Sequence, residues 1–276
     1  MGAGRLYVVA TPIGNLEDLS PRAARVLAEV DLIAAEDTRV TRRLLARGSG
    51  GARLVSYRDE NERRMTSRLL GRLRAGESVA LVSDAGTPAV SDPGYRLIRA
   101  AARAGIDVVS VPGPSAMVAL LSVSGLPTDR FSFEGFLPPA RAARRRALEA
   151  LSGAGRTVVF FESPRRIVRL LEELAGVLGD PEVAVGRELT KVHQEVLRGR
   201  ASEVADLLAQ RDRLRGEFTV AAYVEARSQE DARDAEDQVR RLLEAGWTAR
   251  DIAAELRTLG VSRRRVYEIV RKLSSR

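Results

Sequence analysis

No cysteine occurs in this chain of 276 residues, so disulfides and thiolate metal centres are excluded. Histidine is almost as scarce. His193 stands alone, which leaves no ligand set for zinc and no Ser-His-Asp order worth proposing. The Gly-Lys-Ser/Thr of a nucleoside triphosphate loop is missing, and so is Gly-x-Gly-x-x-Gly. A nucleotide triphosphatase and a nicotinamide dehydrogenase are therefore both disfavoured. Internal repeats and low-complexity tracts are absent, and no basic-plus-apolar leader opens the chain, which predicts a cytoplasmic protein. One uncharged run, 108–128, is long enough to span a bilayer. Pro112, Gly113 and Pro114 break it near its start, so it reads as strand, turn and buried helix.

What remains is an ordinary globular balance of 45% apolar and 30% charged residues, enough for two packed units. Lysine is limited to Lys191 and Lys272, so nearly all of the 45 basic residues are arginine. That bias is compositional, but the net charge of +8 is not created by it and points to a polyanionic partner.

Apolar strands alternate with amphipathic helices through the first half: "RLYVVAT", "DLIAAE", "ARLVSY", "SVALVS" and "DVVSV" are the strands. Ser20 and Pro21 mark a helix start, and Gly76 a helix end. This pattern predicts an α/β fold with a parallel-rich sheet covered on both faces. The expected divisions are an N-terminal α/β domain (1–124), a C-terminal α/β domain (125–230) and a helical, helix-turn-helix-like tail (231–276). The stretch 125–139, rich in Pro, Gly and aromatics, is the expected junction. Ser163 is the expected N-cap of the helix after "RTVVFFE". In the tail, Thr248 and Asp251 form a capping-box start, Gly260 a stop and Ser262 a restart.

Three loops rich in Gly, Pro and small polar residues follow strands: "TPIGNLEDLSP" (11–21), "SDAGTPAVSDPG" (83–94) and "PGPSA" (112–116). Ligands of open α/β sheets sit at the carboxyl ends of the strands, so three such loops on one edge predict a cofactor cleft. Within the second loop, Ser83 and Asp84 are expected to face the ligand and Ser91–Gly94 to cap the next helix. Candidate proton acceptors and charge partners are Glu36, Asp37 and Arg39 in "AAEDTR", and Arg187, Glu188, Lys191 and His193 in "RELTKVHQE". The first three would serve equally well by capping the following helix and pairing with one another. Arg141, Arg144, Arg145 and Arg146, with the tail cluster Arg263, Arg264 and Arg265, are candidate RNA-phosphate contacts.

"LYVVATPIGNLEDLSPRA", "AAEDTRVTRRLL", "LVSDAGTPAVSDPG", "VPGPSA", "FFESPRR", "GRELTK" and "GEF" resemble, in order, the tetrapyrrole methylase superfamily. Within it they resemble the branch that acts on small-subunit ribosomal RNA. The resemblance implies the two-domain architecture of class III methyltransferases that use S-adenosylmethionine (SAM), here with a helical C-terminal extension. It implies methylation of a ribose 2′-hydroxyl, at cytidine-1402 of 16S rRNA, by a homodimer with the cofactor between the two domains of each subunit. Carried over position by position, the cofactor contacts are Pro12, Ser83, Asp84, Gly86, Val90, Ser115, Ala116, Phe161, Leu189, Glu217 and Phe218. Phe160-Phe161, Val192 and Gln194 are modest departures from the pattern. Two other readings stay open: a methyltransferase of a tetrapyrrole or other small molecule, and a nucleic-acid-binding regulator whose α/β part senses a ligand.

Overall fold

Residue parity sorts the side chains of the first sheet. The computed structural model describes residues 4–45, 52–226, 229–256, 261 and 263–274, with the side chains of 229–234, 264 and 274 outside that description. Strands β1 (Arg5–Val9), β2 (Leu32–Ala35), β3 (Arg53–Ser56), β4 (Val79–Val82) and β5 (Asp107–Val111) lie in the order β3-β2-β4-β1-β5. Each neighbouring pair is parallel. The helices that return the chain are α1 (Pro21–Glu29), α2 (Thr38–Leu45), α3 (Glu62–Arg74) and α4 (Tyr95–Arg103), with α5 (Ala116–Ser124) after β5. Successive strand residues point to opposite faces. Leu6, Leu32, Ala34, Val79 and Leu81 therefore meet Leu69 of α3 and Leu97 of α4. Val9, Ile33, Ala35, Ala80 and Val82 meet Val26 and Leu27 of α1 on the other side. Each leucine buried this way contributes about 1.5–3 kcal/mol.

Helix α1 starts as its sequence dictates. Ser20 Oγ accepts a hydrogen bond from the Ala23 amide at 3.0 Å, and Pro21 occupies the first turn. Because the strands are parallel, all five carboxyl ends lie on one edge, and the loops at 10–20, 36–37, 57–61, 83–94 and 112–115 gather there.

The chain divides into two units, Met1–Val123 with Gly186–Val196, and Ser124–Val185 with Leu197–Arg276. The segment 186–196 thus packs with the first unit, where its sequence position had suggested the second. The second sheet comprises β6 (Phe131–Phe136), β7 (Ala154–Glu162), β8 (Glu182–Arg187), β9 (Glu195–Arg200) and β10 (Phe218–Ala226) in the order β6-β7-β10-β8-β9, and the end of β8 and the start of β9 run into the 186–196 segment. The β6–β7 pair is parallel and β7–β10 antiparallel. Helices α6 (Arg141–Leu151), α7 (Ile167–Leu178) and α8 (Ala201–Ala209) belong to the second unit. Its core is Phe160, Leu171, Leu174, Val185, Val204, Leu208 and Phe218.

One local expectation is corrected and another refined. The boundary between the units falls at Val123/Ser124, beside the expected junction, and that stretch also contains β6, whose backbone pairs with β7 despite an irregularity between Phe133 and Gly135. Ser163 does not cap α7. Its carbonyl closes a turn with the Arg166 amide at 3.0 Å, and the helix begins only at Ile167.

The tail adds α9 (Gln229–Glu244), α10 (Ala249–Glu255) and α11 (Arg263–Ser274) around a core of Val239, Ile252, Leu256, Val266 and Ile269. Thr248 caps α10 by accepting from the Asp251 amide at 3.3 Å. The expected stop at Gly260 and restart at Ser262 fall outside the described residues.

Candidate active site

The three loops singled out in the sequence are laced together at the carboxyl edge of the first sheet. Thr11 and Gly86 form a two-way backbone bridge, with N–H···O distances of 2.9 and 3.1 Å. The Thr11 hydroxyl also reaches the carbonyl of Ser83 at 3.2 Å. The Ala10 amide donates to Val111 at 3.1 Å, and the Thr87 hydroxyl donates to the Pro114 carbonyl at 3.2 Å. Pro12, Ser83, Asp84, Gly86, Val90, Ser115 and Ala116 therefore share one edge. Pro12 and Ser83 are buried, Ser115 and Ala116 half-buried, and Asp84 and Val90 exposed.

The segment 186–196 joins the same edge. The Asn15 amide donates to the Thr190 hydroxyl at 3.1 Å. Gly14 comes so close that a Cβ there would lie 2.9 Å from that oxygen, so only glycine fits the approach. Leu189 is buried, against Gly186 and Leu120. Lys191 is held by Glu188 at 2.8 Å. Ala89, Ser91, Glu188 and Thr190 all have φ between 49° and 68°, four of five non-glycine residues with positive φ among those described. Such backbone costs on the order of 1 kcal/mol or more per residue and concentrates at functional sites.

Glu36, Asp37, Arg39, Arg58, Asp59, Glu60, Asp84 and Pro93 line an open depression of ≈ 250 Å³ on this edge. The two adjacent carboxylates differ there. Asp37 is committed: Oδ1 accepts from the Arg39 amide at 2.8 Å, capping α2, and the Arg39 guanidinium grips both of its oxygens. Those bonds hold its carboxyl far below the usual range. Among the described residues, the Glu36 carboxylate accepts only a long bond, 3.4 Å, from the Asp84 amide. Burial, reinforced by Asp84 and Asp59, pushes its carboxyl up. The capping and pairing reading thus describes Asp37 and Arg39, while Glu36 is left with basicity to use.

Asp92 was missed in the sequence. Expected to cap α4 with Ser91, it lies half-buried beside Ser83 and raised to about 6 by burial, then by Glu36. The cap of α4 comes from Glu62 of α3 instead, whose Oε1 accepts from the Gly94 amide at 3.3 Å and the Arg96 amide at 3.4 Å. Gly94 itself has φ 149°.

In the second unit, β7 and β10 bring Phe161, Glu217 and Phe218 to one end: Phe161 pairs with Thr219, and Glu162 with Phe218. Phe161 is wedged edge-on against Phe133 and Phe136, with centroids at 4.8 and 5.7 Å. Glu217 is exposed and Phe218 buried. The arginines expected to meet RNA divide. Arg141, Arg145 and Arg146 are exposed on α6, although Arg145 pairs with Glu149 at 2.9 Å. Arg144 is a correction. Its side chain is 3% exposed, held by Glu173 and by the Pro138 and Pro139 carbonyls, and it presents nothing to a phosphate. In the tail, Arg263 lies over the Tyr267 ring at 5.6 Å and Arg265 faces Glu268 at 3.8 Å; the side chain of Arg264 is outside the described residues.

A five-stranded parallel sheet with laced carboxyl-edge loops, followed by a mixed second sheet, is the architecture of a methylase. The family described as Tetrapyrrole (Corrin/Porphyrin) Methylases matches residues 5–205, and the chain belongs to it. It is 48% identical over 278 residues to "Ribosomal RNA small subunit methyltransferase I" of Micromonospora olivasterospora, covering 100% of this chain and 89% of the relative. The Synechocystis sp. protein of that name is 41% identical, with 99% of each chain covered. Among solved structures, a cobalt precorrin-4 methyltransferase of cobalamin biosynthesis superposes with a TM-score of 0.61 at 20% identity, covering 80% of this chain and 95% of its own. The uroporphyrin-III C-methyltransferase of Thermus thermophilus, complexed with S-adenosyl homocysteine, gives 0.55 at 22% identity, covering 80% and 98%. Both establish the fold. No described helix is long and apolar enough to cross a membrane; the uncharged run 108–128 is divided between β5, a Pro-Gly-Pro turn and α5.

Proposed function

We propose that this protein is a SAM-dependent methyltransferase of small-subunit ribosomal RNA, acting on the ribose 2′-hydroxyl of cytidine-1402 in 16S rRNA. Relatives bearing the name of that enzyme class span nearly the whole chain at 41–48% identity. The observation that carries the chemistry is Glu36, an under-bonded carboxylate raised above its ordinary range among laced ligand-type loops.

The donor set suits SAM. Buried hydroxyls and backbone groups of the three loops offer neutral hydrogen bonds, Val90 an apolar surface, and Glu36 and Asp84 a charge opposite to the cofactor's sulfonium. Pro12, Ser83, Asp84, Gly86, Val90, Ser115, Ala116 and Leu189 would hold it in the first unit. The family resemblance adds Phe161, Glu217 and Phe218 to that set. When bound, SAM supplies a methyl group already activated on sulfur, so the protein needs no metal or thiol nucleophile. Its own residues orient the ribose, exclude water and take one proton. Glu36 accepts that proton from the 2′-hydroxyl, and its raised basicity improves the transfer. Arg39, fixed by Asp37, and Lys191, fixed by Glu188, act by charge beside the reacting ribose. Arg141, Arg145 and Arg146 on α6, and Arg263 and Arg265 on α11, would supply further phosphate contacts. The working form is a cytoplasmic homodimer.

Labelled methyl from SAM, offered to small ribosomal subunits lacking the modification and separately to a tetrapyrrole, tests the reading. Label in the ribosomal RNA is expected. Label in the tetrapyrrole alone would make the protein a small-molecule methyltransferase, and label in neither would leave a ligand-sensing regulator.

A further inference from the structure

Helix α2 carries a stripe of arginine of which, among the described residues, only the first member is explained by an internal contact, the Arg39–Asp37 ion pair. Arg39, Arg42 and Arg43 stand at i, i+3 and i+4, so they share one face with neighbouring Cβ atoms about 5–6 Å apart. All three are exposed, while Thr41 is buried and Leu44 and Leu45 pack on the core. Arg42 and Arg43 have no ion-pair or hydrogen-bond partner among the described residues. Arginine in the last turn of a helix gains a little from the helix dipole, but that accounts for neither the stripe nor its position. The helix leaves β2 immediately after Glu36 and Asp37, so the stripe runs down from the rim of the depression that Glu36 lines. Arg58, whose Nε donates to the Glu36 carbonyl at 2.9 Å, adds a further cation at that rim. Positive charge from Arg39 and Arg58 thus flanks the carboxylates of Glu36, Asp59, Glu60 and Asp84 in the lining of that depression.

Resting on the functional reading above, we infer that the α2 stripe is the docking track for the RNA backbone: Arg42 and Arg43 hold successive phosphates so that the adjoining ribose comes over Glu36. Fork-shaped guanidiniums suit phosphate oxygens, and sugar-phosphate contacts fix register without reading bases. A structured RNA approached by its backbone needs no stacking platform, which agrees with the lack of aromatic residues in α2.

The test compares Arg42→Ala/Arg43→Ala with Arg74→Ala/Arg103→Ala. The second pair removes equal charge from the ends of α3 and α4, at the opposite edge of the sheet. Binding to unmodified small subunits is measured over a salt series, together with methyl-transfer kinetics and SAM affinity. Losing two phosphate contacts should flatten the slope of log K against log salt by about 1.4 to 1.8. KM for the particle should rise by about 10- to 100-fold, with SAM affinity and melting temperature unchanged, and the control pair should behave as wild type. Unchanged slope and KM in the α2 variant, or equal losses in both variants, would overturn the docking track. Wild-type protein that binds the particles but transfers no methyl would instead overturn the functional reading, and the slopes would still decide the track.

Discussion

On α6, Arg144 is 3% exposed and clasped by Glu173 and two proline carbonyls; on α2, Arg42 and Arg43 reach solvent with no partner among the described residues. The sequences "RAARRRALEAL" and "TRVTRRLL" look alike, yet one helix uses Arg144 to tie itself to α7, and the other turns Arg42 and Arg43 to solvent without a partner among the described residues. The carboxylates show the same split within two residues, Asp37 consumed by a cap and an ion pair, Glu36 spared. Residue type does not separate structural from functional groups; what each has already satisfied does.

The sharpest way to break the contrast is at Glu36. Glu36→Gln should lower kcat by about 10²- to 10⁴-fold with SAM affinity intact. It should also remove an acidic limb of the pH–rate profile lying above the ordinary carboxylate range. Asp37→Asn should lower the melting temperature slightly and keep most of the turnover; equal kinetic damage in both would erase the distinction. Arg144→Gln sharpens the other side. Removing one member of a buried, well-bonded pair should cost about 3 kcal/mol, while the salt dependence of RNA binding stays the same. A changed salt slope would return Arg144 to the RNA surface.

The smallest effect is expected at Asp92. Its folded value, about 6, lies above the ordinary 3.8, so the folded state holds the proton more tightly than the unfolded chain. Stability is then lost as pH rises from about 4 to about 6 and stays lower above that. Asp92→Asn should abolish this loss and raise stability at pH 7 by on the order of 1 kcal/mol once solvent screening is allowed for. Denaturant melts at pH 4 and pH 7 check it, and an unchanged pH slope would remove Asp92 from the coupled carboxylates.

Much of this was legible beforehand because its causes are local. Parity of apolar residues in "LIAA" and "VALV" announces a strand with both faces buried, and clustered Gly and Pro announce the strand-end loops. Ser20 and Thr248 cap the helices their positions suggest. What was hidden depends on partners far along the chain. Glu62 reaches Gly94 across 32 residues and displaces Asp92 from the capping role. Glu173 reaches Arg144 across 29 and takes it off the surface. Asn15 meets Thr190 across 175, drawing the 186–196 segment into the first unit. No spacing rule encodes such pairs, so a cluster of charges read from sequence alone cannot be divided into ties and contacts.

One measurement bears most directly on the whole assignment: alkaline hydrolysis of small-subunit RNA labelled by this protein from methyl-labelled SAM. A methyl on a ribose 2′-oxygen blocks cleavage of the adjoining phosphodiester. The expected result is label in a single alkali-resistant dinucleotide that begins with cytidine-1402, and almost none with Glu36→Gln. Label released in mononucleotides would place the methyl on a base and contradict both the ribose target and the role of Glu36.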